Sequence, residues 1–166
     1  MKIYLLRHAE REHGEKQDTL TKKGLVQARE LKFKLGKFNV DKIYCSTSNR
    51  CKETIKPFLE EFNGEVEYIS DLEEMRLGIL QGKTAQKFRD TLKESGLDKD
   101  EFRPEGGENL EDFEIRIKNF ISLLKNKDEK NILISTHAGV IKLFFKFLKN
   151  ETITKPEFAS ISYLEI

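Results

Sequence analysis

Short apolar runs alternate with longer stretches in which apolar residues recur every three or four positions. Ile3-Tyr4-Leu5-Leu6 is a buried-strand run that stops at Arg7-His8-Ala9-Glu10, so a reactive side chain stands at the end of a rigid element. A polar loop, 11–17, contains Gly14. Thr21 then suits a helix N-cap, Leu25, Ala28, Leu31 and Leu35 mark the expected apolar side, and Gly36 marks the stop. Lys42 to Ser46 is a second strand, so residues 2–46 predict a β-α-β unit with parallel strands. Cys51, Ile55, Phe58, Leu59 and Phe62 keep helical spacing, closed by Asn63-Gly64, although Pro57 should kink or split that helix. Glu65 to Ile69 alternates as a strand does.

Periodicity weakens from Asp71 to Glu108, where glycines and Pro104 punctuate a charged stretch with one short helix expected near Thr84 to Lys93. A long, poorly patterned segment in a small domain is usually functional, so 71–108 is expected to cover a substrate. Helical order returns at Asn109, with Leu110, Phe113, Ile117, Phe120, Ile121 and Leu124 on one face. Asn131 to Thr136 is a further buried strand ending at His137, and Ala138-Gly139 leads into a helix, apolar on most sides, over Val140 to Leu148. Ala159 to Ile166 reads as a last strand. The alternation predicts an α/β fold, a three-layer α/β/α sandwich on a mostly parallel central sheet, with residues 1–166 as one domain.

Composition narrows the partners. Lys plus Arg, 30, nearly balance Asp plus Glu, 29, so overall charge points to no nucleic acid and no membrane surface, and any anion site must be local. No apolar run approaches the roughly 20 residues that span a bilayer, and no signal peptide is visible, so a cytoplasmic location is expected. Cys45 and Cys51 are expected to stay reduced in the core. Oligomeric state is open.

In a parallel sheet, ligands gather beyond the C-terminal strand ends. Three such ends carry Arg7-His8, Ser46 with Arg50, and Thr136-His137. A neutral imidazole can attack phosphorus and hold the phosphoryl group covalently, and guanidinium forks match its oxygens. His8 is read as the nucleophile, Arg7 and Arg50 as phosphoryl ligands. His137 supplies a further donor, backed by the helix start at Ala138, whose free amides favour anions. The leaving alkoxide needs a proton, and Glu73 or Glu74, after the third strand, could give it.

Leu6-Arg7-His8-Ala9-Glu10 resembles the signature of the histidine phosphatase superfamily, which includes cofactor-dependent phosphoglycerate mutases and many small phosphatases. Leu20-Thr21-Lys22-Lys23-Gly24-Leu25-Val26-Gln27-Ala28, Ile43 to Ser46 with Arg50 and Thr54, Glu74 to Gly82, Gly106 to Asn109 with Arg116, and Thr136 to Gly139 resemble its further motifs in family order. The resemblance implies a phosphoglycerate mutase-like fold, His8 as the phosphorylated nucleophile, Arg7, Arg50 and His137 as phosphoryl ligands, and Glu74 rather than Glu73 as acid/base. It implies no metal and no cofactor. Ala9 replaces the usual glycine, and Gly14 stands where many members carry a phosphate-holding asparagine. Arg116 reads as a structural ion-pair partner, and His13 as a loop residue.

The expected activity is hydrolysis of a small phosphorylated metabolite through phospho-His8, because the insert between Gly82 and Pro104 has only 21 residues, fewer than mutases of the family use to shield the phosphoenzyme from water. A cofactor-dependent phosphoglycerate mutase, a protein-phosphohistidine phosphatase and a non-catalytic phospho-ligand binding module are the alternatives. Glu74 argues against the second of these, since a phosphoramidate leaving group needs less help from an acid.

Overall fold

In the computed structural model, Ile3, Leu5, Leu6, Ile132, Leu133 and Ile134 are fully buried, because β1 (Lys2–Arg7) and β4 (Asn131–Thr136) are neighbouring strands with another strand beyond each. The structure describes the backbone of residues 1–166 and every side chain except that of Glu15. The remaining strands are β2 (Lys42–Ser46), β3 (Glu65–Ile69) and β5 (Ile161–Glu165), in sheet order β3-β2-β4-β1-β5. Pairing is parallel from β3 to β1, whereas β5 runs antiparallel at the edge.

Both faces of the sheet are covered, which explains why its strands read as unbroken apolar runs. Ile3, Leu5, Tyr44, Ile132 and Ile134 pack against α4 (Leu110–Leu124) and α5 (Ala138–Lys149). Leu6, Ile43, Cys45 and Leu133 pack against α1 (Lys22–Leu35) and α2 (Asn49–Leu59). The result is the expected three-layer sandwich. Cys45 and Cys51 are free and buried, and among the described residues no helix is long and apolar enough to cross a membrane.

Several local expectations needed correction. Leu25 is exposed, and Gly24 takes the buried place on α1. A side chain at Gly24 would collide with the carbonyl oxygen of Glu10, so close packing of the 10–21 loop selects glycine where the periodicity suggested leucine. Pro57 does not split α2, which is continuous over Asn49–Leu59 with Pro57 in its last turn and ends before Phe62. The stretch 71–108 is more ordered than its pattern implied: α3 (Ala85–Ser95), capped by Thr84, carries Phe88 edge-on to Phe102, and Leu72, Leu80, Phe102 and Pro104 are buried.

Two helix starts follow from sequence chemistry. Thr21 Oγ1 accepts from the Gly24 amide at 3.0 Å. Asn109 and Asp112 form a reciprocal capping box, which satisfies two amides that would otherwise lack partners.

Candidate active site

The register of β1 on β4 pairs Arg7 with Thr136, so His8 and His137 emerge side by side, one residue beyond the sheet. Their ring centroids lie 5.2 Å apart. The backbone locks this meeting, since the His8 amide donates to the Thr136 carbonyl at 2.9 Å.

His8 is almost fully buried, and its Nδ1 donates to the Ala9 carbonyl at 2.8 Å. That bond assigns the neutral ring's proton to Nδ1 and leaves the Nε2 lone pair available. Burial pushes its pKa down to about 3, with Arg50, Arg7 and Arg11 adding to the effect against the opposing Ala9 carbonyl. At neutral pH the ring is therefore uncharged. The Ala9 amide donates to Thr54 Oγ1 at 2.9 Å, and Thr54 donates to the Arg50 carbonyl at 2.6 Å, which ties the His8 loop to α2.

Arg7 Nη1 donates to the Pro156 carbonyl at 2.6 Å, and its guanidinium lies 3.8 Å over the Phe158 ring. Phe158 also approaches the His8 ring, at 5.6 Å. Ala159, the next residue, has φ of +56°, a left-handed conformation that non-glycine residues adopt at a cost. Its amide donates to the His8 carbonyl at 3.2 Å, so the bend that sets Phe158 over the site is anchored on the site itself.

Arg50 is held by Asp18: Nη1 reaches Asp18 Oδ1 at 3.0 Å, while the amides of Asn49 and Arg50 donate to the same carboxylate. Asp18 thus caps α2 from a distant loop and complements its positive end. Arg50 Nη2 donates to His137 Nδ1 at 3.2 Å, and the Nε2 side of His137 meets Ser46 Oγ at 2.9 Å. These partners assign the His137 proton to Nε2. Burial, reinforced by Arg50, holds His137 well below the usual histidine range. The Nε atoms of Arg7 and Arg50 are buried without a partner; unsatisfied donors of this kind are costly unless a ligand accepts from them.

Glu74 reaches the start of α5, where its Oε2 accepts from the Gly139 amide at 3.0 Å. A Cβ at Gly139 would overlap Glu74 Oε1. Glu73 turns elsewhere, accepting from Thr47 Oγ1 and pairing with Arg76 at 3.4 Å. Arg116 positions the whole segment, donating to the carbonyls of Asp71 at 2.6 Å and Glu73 at 3.0 Å while gripping both Glu108 oxygens at 2.8 and 2.7 Å. The structural reading of Arg116 agrees with this geometry, and His13 is exposed on its loop.

A cavity of about 410 Å³ lies beside the histidine pair, walled in part by Arg11, Asp18, Arg50, Glu73, Glu74 and Arg76; Arg50 joins its wall to His137, while His8, His137 and Arg7 lie behind it. A larger hollow, about 790 Å³, lies at the opposite end of the strands around Met1, Lys125 and Ile166, away from the strand ends that carry His8 and His137. The structure therefore brings His8, His137, Arg7, Arg50 and Glu74 to one rim, with Ala138 buried at the head of α5. Sequence reasoning missed Asp18 and Phe158, which lie in polar or irregular stretches and carry no periodic signal.

The family model described as histidine phosphatase superfamily (branch 1) matches residues 3–165. The chain is 30% identical over 151 residues to a putative phosphoserine phosphatase 2 of Hydrogenobacter thermophilus, covering 84% of this chain and 74% of the relative. It is also 30% identical over 158 residues to the adenosylcobalamin/alpha-ribazole phosphatase of Salmonella typhimurium, covering 86% and 77%. Among solved structures, the alpha-ribazole phosphatase of Shigella flexneri superposes with a TM-score of 0.79 at 25% identity, over 100% of this chain and 91% of that one.

Proposed function

The chain belongs to the histidine phosphatase superfamily, and from that membership we propose that it is a phosphomonoester phosphatase acting on a small phosphorylated metabolite through a phosphohistidine at His8. The observation that carries the reading is the His8 ring, neutral, with Nδ1 committed to Ala9 and Nε2 free beside two guanidinium groups. The relatives' names, phosphatases of phosphoserine and of alpha-ribazole, support a small phosphoester as substrate class.

The His8 Nε2 lone pair attacks phosphorus as the bond to the leaving oxygen breaks, and the Glu74 carboxyl gives that oxygen its proton. Water then attacks the phosphorus–nitrogen bond, surrendering a proton to Glu74 and releasing orthophosphate with His8 restored. Arg7 and Arg50 hold the equatorial oxygens, where charge spreads in the transition state. The arriving dianion offsets the burial cost of a charged ring, so His137 takes up a proton and joins Arg50 as donor. Ala138 and the amide end of α5 lie behind, and the segment 71–108 covers the substrate.

Phosphate release from a panel of small phosphoesters tests the proposal. The wild-type protein should turn over one or more esters while His8→Ala abolishes release; equal activity in both would sink it. An alkaline denaturing quench during turnover should trap a phosphate on the wild-type chain alone, stable in base and released by acid, as a phosphohistidine is.

A further inference from the structure

Arg11 lines the cavity beside Arg50 and Glu74, and the backbone holds it there. Thr21 N donates to the Glu10 carbonyl at 3.0 Å and Glu12 N to the Thr19 carbonyl at 2.9 Å, while Arg11 itself bridges to Leu20 in antiparallel fashion. Leu20 is buried, and its amide donates to Glu53 on α2 at 2.9 Å. The loop is thus stapled across its base, and Arg11 is carried on it as a fixed wall residue. Its guanidinium is half-buried and donates to the Glu12 carbonyl at 2.9 Å. Among the described side chains, no carboxylate stands within ion-pair distance of it, whereas Arg50 is paired with Asp18 and Arg76 with Glu73.

Charge falls short without Arg11. Arg50 donates from Nη1 to Asp18 and from Nη2 to His137, and the Asp18 carboxylate offsets its charge. A phosphoryl group presents three equatorial oxygens and a dianionic ester brings two negative charges. Arg11 is the guanidinium group of the cavity wall whose charge no described carboxylate offsets at ion-pair distance, and Arg7, next to His8, is likewise without one. The Arg11 charge also reaches His8 and His137, where it favours the neutral rings. We infer that Arg11 is a third arginine of the phosphoryl clamp, binding the transferring group directly from the 10–21 loop. The inference rests on the phosphatase reading of the same site.

The test compares wild type with Arg11→Met and Arg11→Lys, measuring orthophosphate affinity by calorimetry and kcat/KM on p-nitrophenyl phosphate, with thermal melts to confirm folding. Arg11→Met should weaken orthophosphate about 10-fold or more and lower kcat/KM about 100-fold, with Arg11→Lys recovering part of both, as expected for a charge-assisted contact lacking the fork. Orthophosphate affinity within twofold of wild type in a folded Arg11→Met protein would overturn the assignment. So would a loss confined to bulkier esters, which would place Arg11 on the leaving group. If the wild type hydrolyses no ester, the phosphatase reading fails, and the calorimetric comparison still decides Arg11.

Discussion

Ser46 Oγ and His137 Nε2 meet at 2.9 Å at the buried end of β2. The same hydroxyl oxygen accepts from the Ser48 amide at 3.3 Å, and the Cys51 thiol lies 3.5 Å from the same ring nitrogen. His137 is thereby gripped on one edge, which turns Nδ1 toward Arg50 and the cavity. Ser46→Ala should lower kcat about 10- to 100-fold with little change in KM, since losing a buried partner costs about 1–3 kcal/mol. Steady-state kinetics on p-nitrophenyl phosphate checks this; a fall in KM alone, or no change, would remove Ser46 from the positioning of His137.

Gly139 and Glu74 make a second pair. Gly139→Ala should displace the Glu74 carboxyl from the head of α5. Turnover of alkyl phosphates, whose leaving group needs a proton, should fall about 10- to 100-fold further than turnover of p-nitrophenyl phosphate. Glu74→Gln should show the same asymmetry. Equal losses on both substrate classes would take the acid role away from Glu74.

The two buried histidines predict an acid-sensitive fold. The folded-state pKa of His8 is about 3 and that of His137 is well below normal, against an unfolded value near 6.5. Between those values the unfolded chain binds protons that the folded chain refuses, so stability is retained above pH 6.5 and lost as pH falls below it. His8 should contribute a loss of about 2 kcal/mol between pH 7 and pH 5, and His137 a further loss of the same sign. Urea denaturation at the two pH values measures this, and His8→Asn should flatten the dependence.

Phe158 should matter to catalysis although it carries no reactive group. Phe158→Leu removes the ring beneath the Arg7 guanidinium, an interaction worth about 1–2 kcal/mol when partly desolvated. Activity should fall about 5- to 30-fold, with a matching loss of orthophosphate affinity as Arg7 loses its orientation. An unchanged affinity would mean that the Pro156 carbonyl alone suffices to hold Arg7.

Local chemistry made much of this protein legible from its residues in order. Ile3 to Leu6 and Asn131 to Thr136 are strands buried on both faces, so their unbroken apolar runs appear directly in the sequence. Thr21 and Asn109 announce their helices because a cap acts within three residues. The strand-end positions of Arg7, His8 and His137 follow from the same runs. Tertiary structure alone decided the rest. Asp18 meets Arg50, Phe158 covers Arg7, and Arg11 enters the cavity through contacts between segments distant along the chain and without hydrophobic period. Gly24 replaced Leu25 on the buried face for the same reason, since only the approach of the Glu10 carbonyl excludes a side chain there. Periodicity records which face of an element is buried; it does not record which loop closes over a strand end, and in this protein the loops decide how the charges around His8 are shared.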